Sequence, residues 1–146
     1  MNRNSFKISF FVQKNVQLQE RRRINSFISH KLQEAGKSGG EISYIFCSDE
    51  ELLDINKTYL QHDYFTDIIT FDLSEEGSKV LMSDIFISVD RVKENAVYQG
   101  TSVKLELLRV IFHGILHLIG FKDKTKLQSE EMRRMEDVWI AEFVRS

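Results

Sequence analysis

Hydrophobic and polar positions along this chain switch between two periods. Phe6, Ile8, Phe10 and Val12 alternate with Lys7, Ser9 and Phe11, which predicts a first strand. From about Gln19 to Ala35 the spacing turns helical, with Ile24, Phe27, Ile28, Lys31, Leu32 and Ala35 on one face. Gly36 and the Gly39-Gly40 pair are expected to end that helix and turn the chain. Glu41 to Cys47 reads as a second strand. Ser48-Asp49-Glu50-Glu51 has the form of a capping box and opens a helix through Leu52, Leu53, Ile55, Asn56 and Tyr59. Asp67 to Leu73 and Val80 to Ile87 are β-rich, and Glu75-Glu76-Gly77-Ser78 between them predicts a hairpin turn. Ser88 caps a helix that runs to Gln99 and stops at Gly100. Two more helices are expected, from about Ser102 to Ile119 and from about Lys126 to Val144. The last shows Leu127, Met132, Met135, Val138, Trp139 and Phe143 on one face. About four strands interleaved with about five helices predict an α+β fold, helices packed on a small mixed sheet. No repeat, low-complexity tract or linker interrupts the pattern, so residues 1–146 are expected to form a single domain.

The helix from Ser102 departs from simple amphipathicity. Ser102, Glu106, Arg109, His113 and His117 follow one another at three- or four-residue steps, and apolar side chains cover the rest. A mostly buried helix with one polar stripe facing a cavity is the expectation. Its two histidines stand at i and i+4, where side chains share a face about 5–6 Å apart. That spacing suits two imidazole ligands of one Zn²⁺ ion. Gly120 then stops the helix and the chain turns back, so Asp123 is placed to give a third, anionic ligand. Three protein ligands leave a coordination position open, as a catalytic metal requires. The spacing matches the long zincin pattern H-E-x-x-H-x-x-G-x-x-H, but Gly114 stands at the position of its glutamate. Without that base, peptidase chemistry is not expected. The bland alternatives are a hydrogen-bonded core histidine and a plain glycine cap; the full constellation favours the metal.

Composition narrows the class without naming it. Hydrophobic residues make up 42% and charged residues 29%, the balance of a soluble globular chain. A formal net charge of −2 gives no global signal for nucleic acid, so any RNA contact must come from local patches. The clusters available are Arg21, Arg22 and Arg23, and Lys122, Lys124 and Lys126 beside the histidine motif. The lysines are the better RNA-binding candidates, Lys122 and Lys124 above all, because they border the metal motif. The single cysteine, Cys47, excludes an internal disulfide, reads as core filler and fits a reducing cytoplasm. No apolar run is long enough for a membrane span and no signal peptide is evident, so no membrane partner is expected.

Residues 55 to 72 hold a second polar constellation just before a strand. His62 and Asp63 are candidates for a further ligand or proton carrier, while Asp63, Thr66 and Asp67 are equally suited to organising a turn. Here a resemblance emerges. Asn56-x-x-Tyr59, Asp63-x-x-Thr66-Asp67-Ile68-Ile69-Thr70-Phe71, Ser83-Asp84-Ile85-Phe86-Ile87-Ser88 and the H-G-x-L-H-L-x-G core from His113 resemble the YbeY family in order and spacing. The resemblance covers nearly the whole chain. It implies an α+β fold, one zinc ion, a cytoplasmic location, and endoribonuclease action on single-stranded RNA in small-subunit rRNA 3′-end maturation and ribosome quality control. Partners would be rRNA and the small ribosomal subunit or its proteins. Three departures stand out: Lys122-Asp123 where the family has Asp-His, Leu60 where it has an arginine, and Ser83 where it has a glycine.

The expected chemistry is phosphodiester cleavage at Zn²⁺ held by His113, His117 and Asp123. Arg109 or Lys122 is the candidate replacement for the missing cation, and His62, Asp63 and Glu106 are candidate bases. The competing reading is a non-catalytic, zinc-containing ribosome-biogenesis factor that binds rRNA or a ribosomal protein. A zinc hydrolase of peptide or amide bonds is the third, and Gly114 argues against it.

Overall fold

The computed structural model describes residues 5–146. The expected elements form in the expected order. They are β1 (Phe6–Val12), α1 (Arg21–Glu34), β2 (Gly39–Cys47), α2 (Asp49–Leu60), β3 (Ile68–Asp72), β4 (Val80–Ser88), α3 (Val89–Gln99), α4 (Val103–Leu118) and α5 (Lys126–Arg145). The strands make one sheet in the order β1-β2-β4-β3. β2 runs parallel to both β1 and β4, and β3 closes the predicted hairpin antiparallel to β4. The fold is α+β.

Period-two burial sets the two faces of the sheet. Phe6 and Ile8, then Ile42, Tyr44 and Phe46, then Leu81, Ile85 and Ile87 point to one side. There they meet Ile24, Ile28 and Leu32 of α1, Leu108, Ile111, Phe112 and Ile115 of α4, and Met132, Trp139 and Phe143 of α5. Phe27, Phe112, Trp139 and Phe143 pack ring to ring across α1, α4 and α5, with centroids 5.1–6.1 Å apart. Helix α2 covers the opposite face through a smaller cluster of Cys47, Leu52 and Ile69. Cys47 is core filler as expected, and burial pushes its thiol up to about 12.

Three local expectations need correction. The Gly39-Gly40 pair does not turn the chain but lies inside β2. Gly40 has φ 148°, and a Cβ there would sit 1.9 Å from the Leu81 carbonyl oxygen, so glycine lets β2 and β4 close up at that register. Helix α1 starts at Arg21 rather than Gln19, because Glu20 enters it in a left-handed conformation. Leu127 is 78% exposed and lies off the apolar face of α5, while Glu136, an acid, is buried on it.

Candidate active site

Helix α4 carries the site. Ser102 caps it by accepting from the Leu105 N–H at 3.1 Å, and the Tyr44 hydroxyl donates to the Ile111 carbonyl at 2.9 Å, tying the helix to β2. Gly114 faces the sheet: a Cβ there would lie 3.1–3.3 Å from methyl groups of Ile85 and Ile68. With the apolar faces thus committed, the polar stripe of Glu106, Arg109, His113 and His117 opens on a cavity of about 720 Å³. Asn56, His62, Tyr64, Asp67, Asp123, Lys124 and Glu136 line it as well.

The two imidazoles are oriented by their Nδ1 atoms. His113 Nδ1 lies 2.6 Å from a Glu136 carboxylate oxygen, and His117 Nδ1 lies 2.8 Å from the Phe121 carbonyl oxygen. Neither oxygen can donate, so each Nδ1 carries the hydrogen and each neutral ring keeps its lone pair on Nε2. Gly120, with φ 113°, bends the chain so that the Phe121 carbonyl returns over His117. The ring centroids stand 5.9 Å apart, and Asp123 Oδ2 lies 3.3 Å from His113 Nε2. Among the described residues, no group of three or more His, Cys, Asp or Glu side chains is drawn together closely enough to hold a metal ion as it stands.

Glu136 lines the site although the spacing of the chain did not single it out. It is 5% exposed and accepts from both His113 and Arg109, the latter at 3.1 Å. The signal was present: Met132, Glu136, Trp139 and Phe143 follow at helical steps, so an acid sits on an otherwise apolar stripe. Arg109 also pairs with Asp137 at 2.7 Å, so its charge is already shared by two carboxylates. Burial works against that charge, but the hydrogen bonds to Asp137 and Glu136 prevail and the guanidinium pKa rises.

Burial lowers the His113 pKa, and the Glu136 hydrogen bond with the Glu136, Asp123 and Asp67 charges more than reverses this; the net shift is upward. Burial raises the Asp67 carboxyl, opposed in part by His113. Burial also raises Glu106, whose Oε1 has no hydrogen-bond partner and whose closest cation, Arg109 Nε, is 4.0 Å away.

The other sequence candidates divide. His62 lines the cavity, its Nδ1 3.0 Å from the Tyr64 hydroxyl. The Asp63 side chain is 81% exposed and pairs with Lys57 at 3.4 Å, outside the cavity lining. Lys124 lines the cavity; Lys122 is exposed beside it in sequence and does not.

Two oriented histidines and a buried carboxylate on a cavity beside an α+β sheet make a candidate hydrolytic site, and comparison with known proteins identifies the class as endoribonuclease. The family model described as endoribonuclease YbeY matches residues 8–144. The endoribonuclease YbeY of Cytophaga hutchinsonii is 51% identical over 125 residues, covering 86% of this chain and 87% of that one. That of Christiangramia forsetii is 44% identical over 137 residues, covering 94% of each. A protein from Thermotoga maritima, solved in solution, shares the fold with a TM-score of 0.62 at 23% identity, over 94% of this chain and 88% of its own. The chain belongs to the YbeY endoribonuclease family.

Proposed function

We propose that this chain is a zinc-dependent endoribonuclease that cuts single-stranded RNA, with His113, His117 and Asp123 as the ligands of one Zn²⁺. The observation that carries the reading is the pair of imidazoles on one helix, each tied off at Nδ1, with both histidines and Asp123 lining one cavity. Two neutral nitrogens and one anionic oxygen are a donor set that suits zinc. Asp123 lies on an exposed turn after Gly120, so side-chain rotation is available to bring its carboxylate to an ion. When bound, the ion supplies a Lewis acid for a phosphoryl oxygen.

The remaining chemistry belongs to the chain. Glu136 holds the hydrogen on His113 Nδ1 and so fixes that ring's tautomer and direction. Arg109 acts as a positioning residue, because its pairs with Glu136 and Asp137 aim Glu136 at His113. Asp67, its carboxyl raised by burial, is suited to carry a proton at the cavity wall. Lys124 on the cavity and Lys122 beside it supply positive charge for RNA phosphates. The family likeness supports placing the substrate in rRNA, with small-subunit 3′-end maturation and ribosome quality control in the cytoplasm as the setting. No helix among the described residues is long and apolar enough to cross a membrane.

Zinc content and cleavage of single-stranded RNA, measured on wild type and His117→Ala, test the reading. Loss of both in the variant is expected. Full zinc occupancy with unchanged cleavage would remove it. Binding to ribosomal subunits with intact RNA would favour the non-catalytic alternative.

A further inference from the structure

The loop between α2 and β3 holds two rings that the chemistry above leaves without a role. His62 and Tyr64 stack with centroids 5.1 Å apart and planes 20° from parallel, and the Tyr64 hydroxyl and His62 Nδ1 are hydrogen-bonded at 3.0 Å. Both are exposed, Tyr64 by 56%, yet the backbone beneath them is pinned. Asn56, only 1% exposed, holds it at two points: its carbonyl accepts from the His62 N–H at 3.1 Å, and its Nδ2 donates to the Tyr64 carbonyl at 2.9 Å. Gln61 makes the turn into the loop with φ 56°, a conformation that non-glycine residues seldom take. A buried asparagine and an unfavourable turn are thus committed to presenting two rings to solvent. Both rings border the cavity that His113 and His117 share.

We infer that the His62–Tyr64 pair is a stacking platform for one unpaired base of the RNA strand beside the bond that is cut. This rests on the endoribonuclease reading. The chemistry of the loop selects the base rather than the backbone as occupant. Residues 61–67 carry Asp63 and Asp67 and no lysine or arginine, and the cations that touch the loop, Lys57 and Arg91, are already paired with Asp63 and Asp49, so the loop is poorly suited to a phosphate. A flat π-face remains, and every nucleobase has one to match it. A base inside a duplex is already stacked on its neighbours, whereas a single strand can splay one out onto aromatic side chains. Because the two rings are held against each other before any ligand arrives, little side-chain freedom is lost on binding. The platform would therefore favour single strands while tolerating different sequences.

The experiment titrates the full chain against a short single-stranded oligoribonucleotide carrying one 2-aminopurine, whose fluorescence is quenched by stacking. Wild type is expected to quench it. Tyr64→Ala should abolish the quench and raise Kd about tenfold, and Tyr64→Trp should restore both. Matching far-UV circular dichroism and melting midpoints establish that the variants keep the fold. Absence of a wild-type quench, or equal quench and Kd in Tyr64→Ala, overturns the proposal. So does an equal effect of Tyr64→Ala when the same strand is presented as a duplex. Cleavage of the unlabelled RNA separates the two readings. RNA that is cut with KM unchanged in Tyr64→Ala sinks the platform alone; a Tyr64-dependent quench without any cut sinks the nuclease reading alone.

Discussion

Replacing Glu136 by glutamine tests the link between helix packing and site chemistry. The substitution keeps the volume on the inner face of α5 but removes the charge that two donors share. If the amide oxygen still accepts from His113 Nδ1, the amide NH₂ is left facing Arg109, donor against donor. A hydrogen bond to a charged group contributes about 1.5–3 kcal/mol, and Arg109 keeps its second partner, Asp137. A loss of about 2–3 kcal/mol in stability is therefore expected, which at about 3 °C per kcal/mol for a chain of this size lowers Tm by roughly 6–9 °C. Partners that orient a ligating histidine matter about 10- to 100-fold in metal affinity, so Kd for zinc should rise by that factor in a chelator competition assay. The pH dependence has a definite sign. The folded His113 pKa lies above its ordinary value of 6.5, so in metal-free protein the stability it brings is present below pH 6.5 and lost as pH climbs through the folded value. That part of the gap between wild type and variant should shrink in the same direction. Lost stability with unchanged zinc affinity would refute the reasoning, reducing Glu136 to a strut.

Other expectations can be checked with the same protein. Glu106→Gln should stabilise the chain by about 1 kcal/mol at pH 7.5, since it removes a buried carboxylate with a partnerless oxygen. Because the folded pKa is raised above 4.5, the gain should vanish near pH 4 in urea melts; destabilisation at pH 7.5 would contradict this. Gly40→Ala should cost about 3 kcal/mol or more, since the new Cβ meets the Leu81 carbonyl and the strands must part; an unchanged melting midpoint would count against the tight register. Cys47, its thiol pushed up to about 12, should resist iodoacetamide at pH 8 until the chain is unfolded, and rapid labelling of native protein would show otherwise.

What could be read from the chain was what local chemistry decides. The capping box at Ser48 forms as written, Ser88 and Ser102 cap their helices, and the hairpin of β3 and β4 closes where the turn residues stand. The polar stripe of α4 faces a cavity because period alone fixes which side chains share a face. Contacts between distant segments were out of reach. Whether two glycines turn a chain or let two strands approach depends on β4, and nothing near Gly40 in sequence reports Leu81. The bond between His113 and Glu136 spans 23 residues and a change of helix, and it forms beside the ring contact of Phe112 with Trp139 that packs α4 on α5. Asp63 shows the converse: the loop sequence admitted a catalytic acid, and the fold turned it to solvent beside Lys57.

The packing around Gly114 bears on how such enzymes can diverge. A peptidase descended from this scaffold would need a glutamate at that position, yet the first carbon of any side chain there already presses on Ile85 and Ile68. Making room means that these methyl groups, or the helix that carries the histidines, shift by a few tenths of an ångström. A glutamate introduced there would therefore arrive only with repacking of the sheet beneath the histidines, so the choice of glycine couples the chemistry of the site to the core under it.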